Sequence, residues 1–410
     1  MSSSSKPLLA RDLPSSKHSI EHAAAEDDPL LGGRSEGSRT SRGPGFWREI
    51  GLFIWAVAAT AAVIVLGVLT QHQRETTPND ARTKPSGKRN LIFMVSDGMG
   101  PASLSMTRSF RQFEGELDID DILHLDQHLI GQSRTRSTSS LVTDSAAGAT
   151  AFSCGLKSYN GAISILSDHT PCGTVLEAAK KAGYMTGLVV TTDITDATPA
   201  CFASHVNIRS EQDRIAEQEV GEHPLGRVVD LMLGGGRCHF LPNTTEGGCR
   251  QDGRDLIELA QKKHGWNYIQ DRAAFDQLQL GKNATLPLLG LFATQDIPYE
   301  IDRQNMDHIY PSLDEMARTA LATLEAATRD SDKGFFLMIE GSRIDHAGHG
   351  NDPAAQVHEV LAYDKAFSSV LKFLDESKVE GVVVGTSDHE TGGLSVARRK
   401  LISYSQSEQF

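Results

Sequence analysis

Four short segments, spread from Leu91 to His389 of a 410-residue chain, place oxygen or nitrogen donors directly after an apolar run. They are LIFMVSDGMG with Asp97, LVTDSAAGATA around Ser145, FFLMIEGSRIDHAGH from Phe335 to His349, and VVVGTSDHETGG around Asp388 and His389. Runs this short, rich in Val, Ile, Leu and Phe, read as buried parallel strands whose carboxyl ends carry the chemistry. In open α/β sheets, ligands bind in the crevice outside those ends. Carboxylates converging there repel one another and take up protons unless cations lie between them. The expected molecule is therefore a metal-dependent enzyme built on a mostly parallel central β-sheet flanked by helices.

The rest of the pattern agrees. Helical periodicity is expected near Pro101 to Phe113, over GTVLEAAKKAG before the strand GLVVTT, from Pro311 to Arg329, and from Asp352 to Asp375. Alternation of helices with the strands FFLMIE and GVVVGTS predicts an α/β layer structure over residues 88–396.

The first part of the chain is different. Residues 1–49 are Ser-, Gly- and charge-rich and read as a disordered tail. Residues 50–71 hold no Asp, Glu, Lys or Arg, and roughly 20 apolar residues suffice to cross a bilayer as a helix. A single membrane anchor is expected there, with 72–87 as a linker. The flanking Arg and Lys do not decide its orientation. Three other features favour a cytosolic tail and a lumenal domain. Asn243-Thr-Thr and Asn283-Ala-Thr are glycosylation acceptors. Cys238 and Cys249 flank a loop that either closes as a disulfide or keeps two free thiols. Glu26-Asp-Asp-Pro-Leu30-Leu31 matches the acidic-dileucine pattern read by cytosolic sorting adaptors. A net charge of -13 argues against nucleic acid as a partner.

Each candidate site residue has a plainer alternative. Asp97, followed by glycines, can bridge two cations or merely cap the next helix. Ser145 opens a helix of small residues, where the dipole favours phosphate, or is a simple cap. Asp196 and Thr198 in DATP suit a hard cation such as Mg2+. Arg209 can grip two phosphate oxygens with its fork, or be a surface charge. Asp345 and His349 are four apart, on one face of a helical turn, and Glu340 ends the preceding strand. Asp388 and His389 give another mixed pair. Asp and His sets suggest Zn2+, and all-oxygen sets suggest Mg2+.

Taken in order, VSDGMG, TDSAAGATA, DATPA…HV…R, EG…IDHAGH and SDHETGG resemble the alkaline phosphatases from Asn90 to Val396, especially the fungal vacuolar membrane-bound branch. The resemblance implies hydrolysis of phosphate monoesters through a phosphoserine on Ser145, with two Zn2+ and one Mg2+. Asp97 would join the second Zn2+ to the Mg2+, and Asp388 and His389 would complete that zinc site. Thr198 and Glu340 would hold Mg2+, with Asp196 reaching it through water. Asp345 and His349 would hold the first Zn2+. Arg209 would bind phosphate, oriented by Asp144. A homodimer in the vacuolar membrane, anchored by one helix, is also implied.

One departure bears on activity. The family takes a third ligand for the first Zn2+, a His, from further downstream, and no His follows His389 here. Residues 397–410 do not follow the family pattern. The expectation is a domain incomplete at its C-terminus, with an exposed apolar sheet edge and weak turnover. Two other readings are a metal-poor, largely inactive member of the fold and a phosphodiesterase with the same metal chemistry. The TDSAAGATA helix and Arg209 weigh against the diesterase.

Overall fold

The computed structural model describes residues 44–76 and 87–395. The sorting signal Glu26–Leu31, most of the expected linker and the tail 397–410 lie outside the described residues. The chain divides into two units, residues 1–85 and 86–410.

The described residues of the first unit form the helix Pro44–Thr76. It covers the whole expected anchor but begins earlier, so residues 44–49 are helical and not part of a disordered tail. Pro44 opens it, which suits a residue whose missing N–H is an orphan at that position. Phe53 and Trp55 are exposed along it. Among the described residues, no helix is long and apolar enough to cross a membrane.

The second unit contains a parallel seven-stranded sheet. Its strands are β1 (Asn90–Ser96), β2 (Met185–Asp193), β3 (Leu231–Gly235), β4 (Asn267–Ile269), β5 (Leu288–Leu291), β6 (Phe335–Gly341) and β7 (Gly381–Thr386), in the order β4-β5-β3-β2-β6-β1-β7. Every described pairing in it is parallel. Strand alternation sorts side chains onto two faces. On β6, Leu337 and Ile339 join the cluster that holds Met316, Ala320, Leu324, Val360 and Tyr363. Phe336 and Met338 face the opposite cluster, with Leu176, Phe202, Val220 and Trp266. Burial on both faces explains why β1, β2 and β6 read as continuous apolar runs.

The expected helices form at Pro101–Glu114, Val175–Lys181, Leu313–Ala327 and Pro353–Glu376. Ser312 and Glu315 close a capping box at the start of the third, at 3.2 and 2.9 Å. β7 departs from expectation. It lies at the sheet edge against β1, and Val382 and Val384 are 49% and 47% exposed. An apolar run is the same text whether a strand is covered on both faces or on one.

Candidate active site

β2, β6, β1 and β7 are neighbours in that order. Their carboxyl ends therefore present Asp196, Glu340, Asp97 and Asp388 in sequence along one edge of the sheet. Asp97, Glu340 and Asp388 are buried. The turn after Asp97 is set by Gly98, whose φ is +70°. Its N–H donates to Asp388 Oδ1 at 3.1 Å.

Ser145 begins the helix Ser145–Cys154, and Asp144 is its cap, accepting from the Ala147 N–H at 3.0 Å. The small residues have a purpose here: a Cβ on Gly148 would stand 3.3 Å from Asp388 Cβ. This lets the helix start approach the metal-type ligands. Ser145 Oγ lies 3.3 Å from Asp97 Oδ1 and 3.2 Å from His389 Nε2. His389 Nδ1 is 3.1 Å from the Glu390 carbonyl, which puts the ring proton on Nδ1 and the lone pair on Nε2. One donor atom each from Asp97, Asp388 and His389 falls within 4.8 Å of the others. Asp388 Oδ2 is buried without a hydrogen bond.

The second cluster is all oxygen. Glu340 Oε2 accepts from Ser342 Oγ at 2.6 Å. Thr198 Oγ1 is buried without a well-formed hydrogen bond, yet close enough to Glu340 to favour its ionised form. Asp196 caps the helix Ala197–Ala203 and adds negative charge beside Glu340. The third group is a pair: Asp345 Oδ2 stands 3.4 Å from His349 Nε2 across one turn of the helix Arg343–His349. Thr391 Oγ1 donates to Asp345 Oδ1 at 2.9 Å. Among the described residues no third metal-type side chain joins this pair in a group. His346 points elsewhere, to Asp296 Oδ2 at 3.3 Å.

Arg209 ties the helix starts together. Its Nη2 donates to Asp196 Oδ1 at 2.8 Å, and Nη1 is 3.7 Å from Asp144 Oδ2. The nearer partner is thus Asp196, not Asp144 as expected. Asp196, Arg209, Asp193, Asp296 and His346 line an open polar cavity of about 440 Å³ beside the site.

The electrostatics test whether cations fit. Burial, then the charges of Asp388, Glu340, Asp345 and Asp196, holds Asp97 well above the usual carboxylate range. Burial pushes Glu340 up to about 8, against the Ser342 hydrogen bond, and Asp196 adds to the rise. Asp388 is raised by burial while His389 opposes it. Three strained carboxylates, an orphaned Asp388 oxygen and an orphaned Thr198 hydroxyl are what a divalent-cation site looks like without its positive charge. The donors suit divalent cations, as a mixed oxygen–nitrogen group at Asp97, Asp388 and His389 and an all-oxygen pair at Thr198 and Glu340.

The match to known proteins decides the family. Residues 88–409 match the alkaline phosphatase family, so the match runs through nearly all of the tail 397–410 expected to stand outside it. The chain belongs to the alkaline phosphatases. It is 59% identical to the repressible alkaline phosphatase of Saccharomyces cerevisiae over 84% of this chain and 63% of that protein. With the alkaline phosphatase of Schizosaccharomyces pombe it shares 50% over 93% of this chain and 69% of that one. The solved Thermus thermophilus alkaline phosphatase superposes with a TM-score of 0.67 at 34% identity, over 81% of this chain and 67% of that one. A variant of the TAB5 alkaline phosphatase, 31% identical over 77% of this chain and 82% of that one, has been solved with Mg bound in its M3 site, at a TM-score of 0.63. The chain thus spans just under two thirds of the length of the S. cerevisiae relative. Alkaline phosphatases are a metal-dependent family, and the clustered donors here agree.

Sequence reasoning missed the residues that hold the ligands. Ser342 and Thr391 gave no signal because any Ser or Thr beside a ligand reads the same. Of the two readings of Cys238 and Cys249 the disulfide is the one that forms, and Cys154–Cys172 is a second disulfide that the sequence does not signal. Cys201 is free and buried.

Proposed function

We propose that the chain hydrolyses phosphate monoesters, with Ser145 as the nucleophile. The observation that carries this reading is Ser145 Oγ, at a helix N-terminus, within 3.3 Å of both Asp97 Oδ1 and His389 Nε2. Two zinc ions, at Asp97/Asp388/His389 and at Asp345/His349, and one magnesium at Thr198/Glu340 would supply positive charge and acidify bound hydroxyls. Ser145 Oγ attacks phosphorus as its hydroxyl proton leaves, and the ester P–O bond breaks. The departing alkoxide takes up a proton from solvent, which balances the one that Ser145 releases to solvent, and leaves as the alcohol. Water then cleaves the phosphoserine, giving inorganic phosphate and restoring the Ser145 hydroxyl. Arg209 neutralises phosphate oxygens and stays protonated throughout, since Asp196 and Asp144 raise its already high pKa against the effect of burial. Little in this geometry grips the alcohol, so broad monoester specificity is expected.

Acid quenching of the full chain with labelled phosphate tests the reading. Label should appear on Ser145, vanish in Ser145→Ala, and disappear on metal removal. Label on another residue, or none in the metal-loaded chain, would overturn it.

We also propose that the Pro44–Thr76 helix anchors the chain in the vacuolar membrane with the catalytic unit lumenal. Its support is the sequence of residues 50–71, which hold no Asp, Glu, Lys or Arg and lie within one helix, although among the described residues no helix is long and apolar enough to cross a membrane. Both acceptors, Asn243 and Asn283, are exposed. The cytosolic end would carry the Glu26–Leu31 adaptor signal. Glycosidase should lower the mass of the native protein, and carbonate washing should leave it in the membrane. An unglycosylated, carbonate-soluble protein would reverse the assignment.

A further inference from the structure

We propose that Glu177, His205 and His223 form a peripheral zinc-binding site, separate from the phosphatase centre. One donor atom from each lies within 4.8 Å of the other two. Glu177 divides its work: Oε2 accepts the Thr174 N–H at 2.9 Å in a capping box, while Oε1 faces the two imidazoles. His205 Nε2 is 2.8 Å from that oxygen and His223 Nε2 is 3.4 Å from it. His205 Nδ1 sits 3.0 Å from the Ser164 carbonyl. That contact fixes the ring so that Nε2 is presented, as metal-binding histidines commonly are.

The second observation is His223. It is only 8% exposed, and its Nε2 is buried with no hydrogen bond of its own. Its nearest polar neighbour is Glu177 Oε1 at 3.4 Å, an ion-pair contact without a hydrogen bond, and a cation held between the two would satisfy both. The trio opens onto a cleft of about 600 Å³ that is also lined by Arg214, Glu217 and Glu222. Two histidines, one glutamate and an open position facing solvent match the donor set of a three-ligand zinc site.

Without metal, a proton shared by His205 Nε2 and Glu177 Oε1 makes an ion pair, and zinc would take its place. One contact must yield. The Leu225 N–H donates to His223 Nδ1 at 3.1 Å, and zinc on Nε2 would put the ring proton on Nδ1. The turn holding Leu225 runs between Gly221 and Gly226, at φ +124° and +72°, where the backbone has room to adjust. Opening of that hydrogen bond is therefore a specific signature of zinc binding.

The site stands apart from the centre. Asp196 and Thr198 lie at the start of the helix Ala197–Ala203, and His205 follows its C-cap, Ser204. At about 1.5 Å rise per residue the two ends are ~10 Å apart. The inference does not rest on the phosphatase reading.

Zinc per chain should be measured on the full chain after dialysis, beside Glu177→Gln and His223→Gln. Gln at 177 keeps an acceptor for the Thr174 N–H, so the fold is expected to survive. Each variant should hold one zinc fewer than the parent and still melt cooperatively in chelator, Glu177→Gln at a lower temperature because it loses the ion pair to His205. Equal zinc content in all three would overturn the site. If the variants misfold, the parent still decides: crystals at stoichiometric zinc should show an anomalous peak among the three side chains. Zinc should also expose the Leu225 amide to hydrogen exchange. No peak there sinks the proposal whatever the variants do.

Discussion

Gly98 is the residue on which three others depend. Its φ is +70°, and a Cβ there would come within 2.7 Å of the Asp345 backbone and 2.6 Å of Thr391 Oγ1. Backbone cannot move aside as a flexible side chain does. Gly98→Ala should therefore push Asp345 outward and lengthen the Gly98 N–H bond to Asp388. The φ penalty alone is about 1–2 kcal/mol. Loss of groups that orient metal ligands commonly costs about 10–100-fold in metal affinity. We expect Gly98→Ala to lose zinc at concentrations that saturate the parent, while its fold in chelator is destabilised by only a few kcal/mol, as judged by melting. Unchanged zinc affinity would show that the Asp97–Asp388 turn tolerates a side chain. The same residue illustrates what a sequence hides. SDGMG announces a tight turn, but not that Asp345 and Thr391 close over it.

The helix Ser145–Cys154 shows the same division at the scale of an element. Its start was legible, because Asp-Ser before a run of Ala and Gly reads as a helix start, and the small residues suit a close approach as well as a simple cap. Asp144 has three tasks there: it caps Ala147, accepts the Gly161 N–H at 2.8 Å, and faces Arg209. The tasks can be separated. Asp144→Asn keeps one acceptor oxygen for the cap but removes the charge facing Arg209. Asp144→Ala removes both, and losing such a cap costs about 1 kcal/mol. Both variants should melt below the parent and the alanine one lower, because asparagine keeps the cap but turns an amide NH2 toward the Gly161 N–H that the second carboxylate oxygen accepts. Both should bind inorganic phosphate differently from the parent, because Arg209 then rests on Asp196 alone. Phosphate competition that is unaltered in both would mean Asp196 suffices. β7 is the counter-example: its apolar text foretold a strand correctly but not its half-exposed face, which depends on what lies beside it.

Across the whole molecule, the parallel sheet and the donors it gathers were legible because β1, β2, β6 and β7 each end beside a carboxylate. The strand order was not, since nothing in GVVVGTS says that it pairs with β1. Nor was Cys154–Cys172, because five cysteines allow many pairings and spacing does not choose among them. The order matters for energetics, because it sets Asp196, Glu340, Asp97 and Asp388 side by side and raises three of them. Glu340 reaches about 8 from an ordinary 4.5. A carboxyl raised in the folded state keeps its proton where the unfolded chain has lost it. The metal-free fold therefore binds more protons than the unfolded chain, from the ordinary carboxylate range up to about 8, and its stability falls as pH rises through that window. Asp193 and Glu359, also pushed up to about 7 by burial, add to the slope. Glu315, lowered to about 2, acts only at more acidic pH. Zinc and magnesium would cancel the part due to Asp97, Glu340 and Asp388, because the cations favour their ionised forms, and would leave the part due to Asp193 and Glu359. Melting of the chelator-treated full chain should thus fall between about pH 5 and about pH 8. Added metal should flatten the curve without levelling it, and Glu340→Gln should reduce the metal-free slope. A metal-free melting curve that rises over the same range would mean these carboxylates are not strained against one another, and the case for cations between them would fail.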